Sequence, residues 1–239
     1  MEHQTLQNPF LNIPRKKLDQ AVEDTEAVYL KDGVFTTEGA LMVDVFNRYY
    51  AANIPVDYWY RDMNDFSGPN VLKNHYIDFT TDIKKSFKAG KMAMFSSSHG
   101  VGKTLTSTCI LKRAVERGCS ALYVNLTDII NVLLSSPNEV KNNARELLLS
   151  VDFLVIDEFD TRFMGSDNAA DLFGRMIEPI VRTRIQNRMP LLMCTNSIKV
   201  EDSFSGPLKA SMESLMKVIK LVPVLGGKDA RAAVGKGEL

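Results

Sequence analysis

The stretch Met92-Ala-Met-Phe-Ser-Ser-Ser-His-Gly-Val-Gly-Lys-Thr104 decides the fold. Residues 92–95 are apolar and read as a short buried strand, the glycine-bearing polar run after them reads as a tight loop, and an amphipathic pattern over 104–117 reads as a helix. A loop that runs from a strand into a helix N-terminus offers a row of backbone N–H groups, and the helix dipole favours an anion there. Gly100 and Gly102 permit the backbone angles that such a curl needs. Lys103 brings a cation suited to β- and γ-phosphates, and Thr104 a hydroxyl suited to Mg2+. The expected cradle is Ser98, His99, Gly100, Val101, Gly102, Lys103, Thr104 and Leu105. Ser97 stands where the strict pattern asks for glycine, so the rest of the chain must decide.

Two later segments support the loop. Phe153-Leu-Val-Ile-Asp-Glu158 is an apolar strand that ends in two carboxylates. Ligands of a parallel sheet sit at the carboxyl ends of its strands, so Asp157 is expected to hold Mg2+ and Glu158 to polarise an attacking water. Pro190-Leu-Leu-Met-Cys-Thr-Asn-Ser197 is a further apolar strand, and it places Asn196 at the same edge to bridge that water and the γ-phosphate. Arg182, Arg184 and Arg188 precede it, and Arg184 is a candidate to reach a neighbouring subunit's γ-phosphate. The catalytic set is therefore Lys103, Asp157, Glu158, Asn196 and Arg184, with Thr104 and Asp157 for the metal and ATP and Mg2+ as cofactors. The tandem acids and Asn196 suit attack by water better than transfer to a bound acceptor, which argues against a small-molecule kinase.

Outward from the site, runs at 92–95, 121–125, 153–157, 191–195 and 218–224 read as five strands, alternating with helical patterns at 104–117, 128–149, 169–186 and 208–216. Such alternation implies an α/β fold, a five-stranded parallel sheet flanked by helices. Residues 76–225 are expected to form this ATPase domain. Pro55, Gly68 and Pro69 interrupt residues 53–75, which read as a linker. Residues 1–52 read as a small helical segment: a charged helix over 16–29, a Lys31-Asp32-Gly33 turn, and a second helix opening after Thr36 or Thr37. In that second helix Met42, Val45, Phe46, Tyr49 and Tyr50 share one face, which suits packing on the main domain or docking a partner. Residues 226–239, basic and rich in Gly and Ala, read as a flexible tail.

Among the 239 residues, 45% are hydrophobic and 24% charged, so neither wholesale disorder nor a membrane protein is expected. No apolar run approaches the roughly 20 residues of a bilayer crossing. Three cysteines without metal-ligand spacing and no signal-peptide pattern fit a cytoplasmic protein. Lys plus Arg equals Asp plus Glu at 29 each, so any contact with nucleic acid must be local.

Taken together, Asn53-Ile-Pro55 and residues 95–104, 149–158 and 180–196 resemble the AAA+ domain of the bacterial replicative helicase loaders, the DnaC/DnaI and IstB group. The likeness covers about residues 50–225 and is most specific in Leu-Leu-Ser-Val-Asp-Phe-Leu-Val-Ile-Asp-Glu158 and Ile-Val-Arg-Thr-Arg184. It implies a sheet of AAA+ order, assembly into a ring or spiral on single-stranded DNA, and an N-terminal segment that grips the replicative hexameric helicase. It also implies that Lys103 and Thr104 bind nucleotide, that Asp157 and Glu158 form the Walker B pair, that Asn196 is sensor 1, and that Arg184 is a boundary arginine. Lys141 and Arg145 would lie on the DNA side. The chain departs from the family at residues 208–216, which hold no arginine finger; Lys209 and Lys217 are the nearby cations. The segment 1–52 also lacks the zinc-binding cysteines of some loaders. A transposition helper of the IstB kind, or an ATP-switched scaffold with little turnover, remains an alternative expectation.

Overall fold

The computed structural model describes residues 8–159, 167–196 and 206–224; the expected tail at 226–239 lies outside them. Helix α1 (Arg15–Tyr29) leads into a two-residue hairpin, β1 (Leu30–Lys31) and β2 (Val34–Phe35). Its turn puts both Asp32 and Gly33 at positive φ, the geometry that matches strand twist in two-residue hairpins. Thr36 then caps α2 (Thr37–Ala51), accepting from the Gly39 N–H at 3.2 Å. Two single 3-10 turns follow, at Val56–Tyr58 and Met63–Asp65, and then α3 (Asn70–Thr80) and α4 (Ile83–Lys88). The stretch 53–75, read as irregular, thus contains the start of a helix.

The sheet strands are β3 (Met92–Ser96), β4 (Ala121–Asn125), β5 (Phe153–Asp157), β6 (Leu191–Thr195) and β7 (Lys220–Pro223), all parallel, in the order β4-β5-β6-β3-β7. Between them run α5 (Lys103–Glu116), α6 (Leu126–Ser135), α7 (Asn138–Ser150), α8 (Asp167–Gln186) and α9 (Gly206–Met216). Side chains along each strand alternate between two cores. Ala93, Phe95, Tyr123, Phe153, Val155, Leu192 and Cys194 face α5 and the N-terminal helices. Met94, Leu122, Val124, Leu154, Ile156, Leu191 and Met193 face α6 to α9.

One expected helix is corrected. Residues 128–149 form two helices, because Pro137 holds itself and Ser136 in extended backbone, ψ 156° and 161°, and residues before proline avoid the helical region. The start of the last strand also moves, since the N–H groups of Val218 and Ile219 still bond Leu215 O at the end of α9.

The N-terminal helices share the first core. Leu18, Ala21, Phe46 and Tyr49 are buried there with Ile110 and Leu111 of α5, and the rings of Phe46 and Trp59 stack at 5.6 Å. Met42, Val45 and Tyr50 pack against its margin. The helical face read from the sequence therefore packs on the sheet domain, each buried aromatic contributing about 1.5–3 kcal/mol. Val28, Leu30, Val34 and Leu41 on the same segment stay exposed. At the sheet edges, Ala52 and Asn53 bond to the outer side of β4, while β7 is the other outer strand and ends in an exposed Pro223.

Candidate functional site

The strand order brings the chemistry together. β3, β6 and β5 are consecutive neighbours, so the loop after β3, Asn196 after β6 and Asp157 at the end of β5 meet on one edge of the sheet. Each connection is pinned there: the Ser97 N–H donates to Thr195 O at 3.3 Å and the Phe159 N–H to Cys194 O at 2.8 Å.

Lys103 is buried at the mouth of this edge. Its Nζ donates to Ser98 O at 2.7 Å, to Ser97 O and Oγ at 3.1 and 3.0 Å, and to Asn196 Oδ1 at 3.0 Å. Gly102 has φ +98°, and a Cβ there would stand 2.3 Å from the Phe66 ring. Glycine is required at 102 both for the turn and for the close approach of that ring.

Asp157 is held by three donors. Oδ2 accepts the hydroxyls of Thr104 and Tyr123, each at 2.8 Å, and Oδ1 accepts the Glu158 N–H at 2.8 Å. Burial and the facing Asp157 push the Tyr123 hydroxyl far above the ordinary phenol range, so it remains a donor. Glu158 leaves the strand at φ 53°, a left-handed angle that costs a non-glycine residue roughly 1–2 kcal/mol and is found at functional turns. Desolvation, then Asp157 and Asp128, raise its carboxyl above the usual range, while His99 opposes them.

The donors fit Mg2+. Thr104 and Asp157 offer hard oxygen atoms at a single point, and Mg2+ is commonly held by one or two carboxylates together with substrate phosphates. Among the described residues no group of three or more His, Cys, Asp or Glu is placed to hold any other metal.

A cleft of about 640 Å³ joins these groups. His99, Gly100, Gly102, Lys103, Thr104, Leu105, Asp157, Glu158 and Asn196 line it, as expected for neighbours of one ligand. Ser98 is exposed beside it and Val101 is buried beneath the loop. Its opposite wall was not foreseen: Pro55, Tyr58, Tyr60, Arg61, Asp62 and Phe66 come from the stretch read as a linker, and Tyr123 and Asn125 from β4. Lys112 of α5 fixes that wall, donating to the carbonyls of Tyr58, Trp59 and Arg61 at 3.1, 2.9 and 2.7 Å. The cluster of aromatic residues just ahead of the loop was the available signal. An aromatic wall facing a phosphate loop suits a planar base.

Arg184 is corrected. Expected at a subunit boundary, it is fully buried, and its guanidinium donates to Leu148 O, Val151 O, Asp152 O and Pro190 O at 2.7 to 3.4 Å. Burial lowers its pKa to about 10, which leaves it charged at neutral pH. Its role is to tie the end of α7 to the approach to β6, and it has no path to a neighbour's phosphate. On α7, Arg145 is exposed and Lys141 half-buried.

No protein-family model and no curated protein matches the chain. Solved structures do. The DnaC helicase loader matches at TM-score 0.56 and 19% identity, over 70% of this chain and 98% of that one. DnaI matches at 0.55 and 20%, over 71% and 93%. A DNA replication initiation factor matches at 0.55 and 17%, over 76% of this chain; the chain spans only 53% of that structure's length. Among the described residues no helix is long and apolar enough to cross a membrane. The chain has an α/β fold with a phosphate-loop-like turn after β3, a five-stranded parallel sheet flanked by helices, and this fold is similar to that of the helicase loader structures.

Proposed function

We propose that the chain is an ATPase that assembles on single-stranded DNA and delivers a replicative hexameric helicase. The observation that carries the catalytic part is the convergence of Lys103, Thr104, Asp157 and Asn196 within hydrogen-bonding distance in one cleft. The loop N–H groups and Lys103 bind the phosphates, and the aromatic wall from Tyr58 to Phe66 takes the base. Thr104 and Asp157 would hold Mg2+, which would supply charge neutralisation at the phosphoryl group. Asn196 orients the attacking water, and Glu158, solvent-facing at the cleft, accepts its proton.

The loading part rests on the similarity to helicase loader structures and on the apolar residues Val28, Leu30, Val34 and Leu41 exposed on the N-terminal segment. In this reading the segment 1–52 docks the helicase, copies of the chain form a ring or spiral, and the work is done in the bacterial cytoplasm. The test is co-purification with the host's hexameric helicase, adding ATP-Mg2+ and single-stranded DNA in turn. Retention that responds to ATP supports the reading, and indifference to both overturns it.

A second reading is favoured by one observation: residues 206–217 contain no arginine, and Arg184 is sealed inside the fold. With neither of these positions supplying an arginine across subunits, ATP would order the assembly and be hydrolysed slowly. Turnover that remains slow with helicase and DNA both present would select this ATP-switched scaffold.

A further inference from the structure

We propose that Tyr123 is a positioning residue that orients the Asp157 carboxylate for the divalent cation, and that through Asn53 it links this carboxylate to the C-terminal end of helix α2. The inference rests on the ATPase reading above.

β4 lies at the outside of the sheet, so the outward backbone groups of Tyr123 have no strand to pair with. They are satisfied by the end of α2 instead. The Tyr123 N–H donates to Ala52 O at 2.8 Å, and the Asn53 side-chain amide donates to Tyr123 O at 3.1 Å. Together these replace one rung of a ladder, with an amide side chain supplying half of it. Asn53 is suited to this position because it is buried, 2% exposed, at φ 54°, an angle that asparagine tolerates better than most residues. Its Oδ1 also accepts the Asn12 N–H at 3.3 Å, and the adjacent Ile54 N–H bonds Tyr49 O at 3.0 Å. The register of α2 against β4 is therefore fixed at Tyr123, whose phenol reaches Asp157.

From that residue the side chain runs inward, and its hydroxyl meets Asp157 Oδ2 at 2.8 Å; Asn125 Oδ1 is a weaker alternative at 3.3 Å. Two hydroxyls share Oδ2, and that of Thr104 is the one assigned to the metal. Tyr123 is then the side-chain donor left on Oδ2, beside the Glu158 N–H on Oδ1. Groups that hold a metal's ligands typically alter metal affinity or activity about 10- to 100-fold when removed. A shift of α2 that strained the Asn53 contacts would move Tyr123, and with it Asp157.

The experiment uses the full chain and the variants Tyr123→Phe and Asn53→Gly. Phenylalanine keeps the ring and both backbone bonds, and glycine keeps the left-handed angle while removing the amide. Three quantities are read: the melting temperature, ATP affinity with Mg2+ chelated, and the Mg2+ concentration that half-maximally tightens ATP binding. Tyr123→Phe is expected to leave ATP affinity without Mg2+ unchanged and to raise the Mg2+ requirement about 10-fold or more. Asn53→Gly is expected to raise it less, and to add nothing in the Tyr123→Phe background. An unchanged Mg2+ requirement in Tyr123→Phe overturns the positioning role, and additive effects of the two variants overturn the link to α2. Should Tyr123→Phe lower the melting temperature, Asn53→Gly carries the test alone, and an unchanged requirement there overturns the proposal. A wild-type chain that binds no ATP under any condition overturns the ATPase reading itself; one that binds normally beside an indistinguishable Tyr123→Phe overturns only this inference.

Discussion

Asp157 and Glu158 are adjacent, yet the fold treats them oppositely: Asp157 is 5% exposed and held by three donors, while the left-handed turn aims Glu158 toward solvent at the cleft. In the proposed mechanism that division separates metal holding from proton acceptance. Replacement Glu158→Gln should leave ATP binding intact and lower turnover about 100-fold or more, since a positioned base contributes about 10²–10⁴ in rate; near-normal hydrolysis would remove Glu158 from this role. Lys103→Ala takes away the one ammonium among the loop carbonyls and Asn196, and equilibrium titration with a fluorescent ATP analogue should register the loss of binding. Asp157 and Glu158 were legible as the polar end of an apolar strand, and Lys103 as the end of a glycine-bearing loop between strand and helix, both local patterns. Tyr123 was not, because its partner Asp157 lies 34 positions away and a tyrosine inside an apolar run reads as core.

At the scale of the element, Arg184 shows how far pattern reading reaches. A cation near the end of a helical pattern ordinarily meets solvent, and only tertiary packing reveals the carbonyls of Leu148, Val151 and Pro190 around it. Arg184→Met should destabilise the fold by about 3 kcal/mol, because the carbonyls lose charged donors while staying buried. Chemical denaturation would read this as an earlier midpoint, and mixing the variant with wild type should show no trans effect on turnover. The five strands were legible because the apolar runs are too short for helices and alternate with longer helical patterns. The division between α6 and α7 turned on Pro137 alone, within an otherwise continuous helical pattern. Helices α3 and α4 went unread because the punctuation at Pro55, Gly68 and Pro69 overshadowed them.

For the molecule as a whole, the N-terminal segment shares its core with the P-loop helix, so deleting residues 1–52 would strip Phe46 and Tyr49 from that core as well as removing any docking face. Surface substitution separates the two effects. Val28→Glu with Val34→Glu, at positions 65% and 69% exposed, should leave melting and ATP binding within error and reduce helicase capture in a pull-down. Undiminished capture would move the docking face elsewhere. The aromatic wall of the cleft became visible only at this scale, because Lys112 folds residues 58–61 onto α5 across more than fifty positions of sequence. The two rims of the sheet carry one more consequence. β4 is already hemmed by Ala52 and Asn53, and β7 finishes in Pro223, which has no N–H to offer. Neighbouring copies therefore have little purchase for extending the sheet from one molecule into the next. Any assembly of copies would then join discrete bodies set side by side rather than share one sheet.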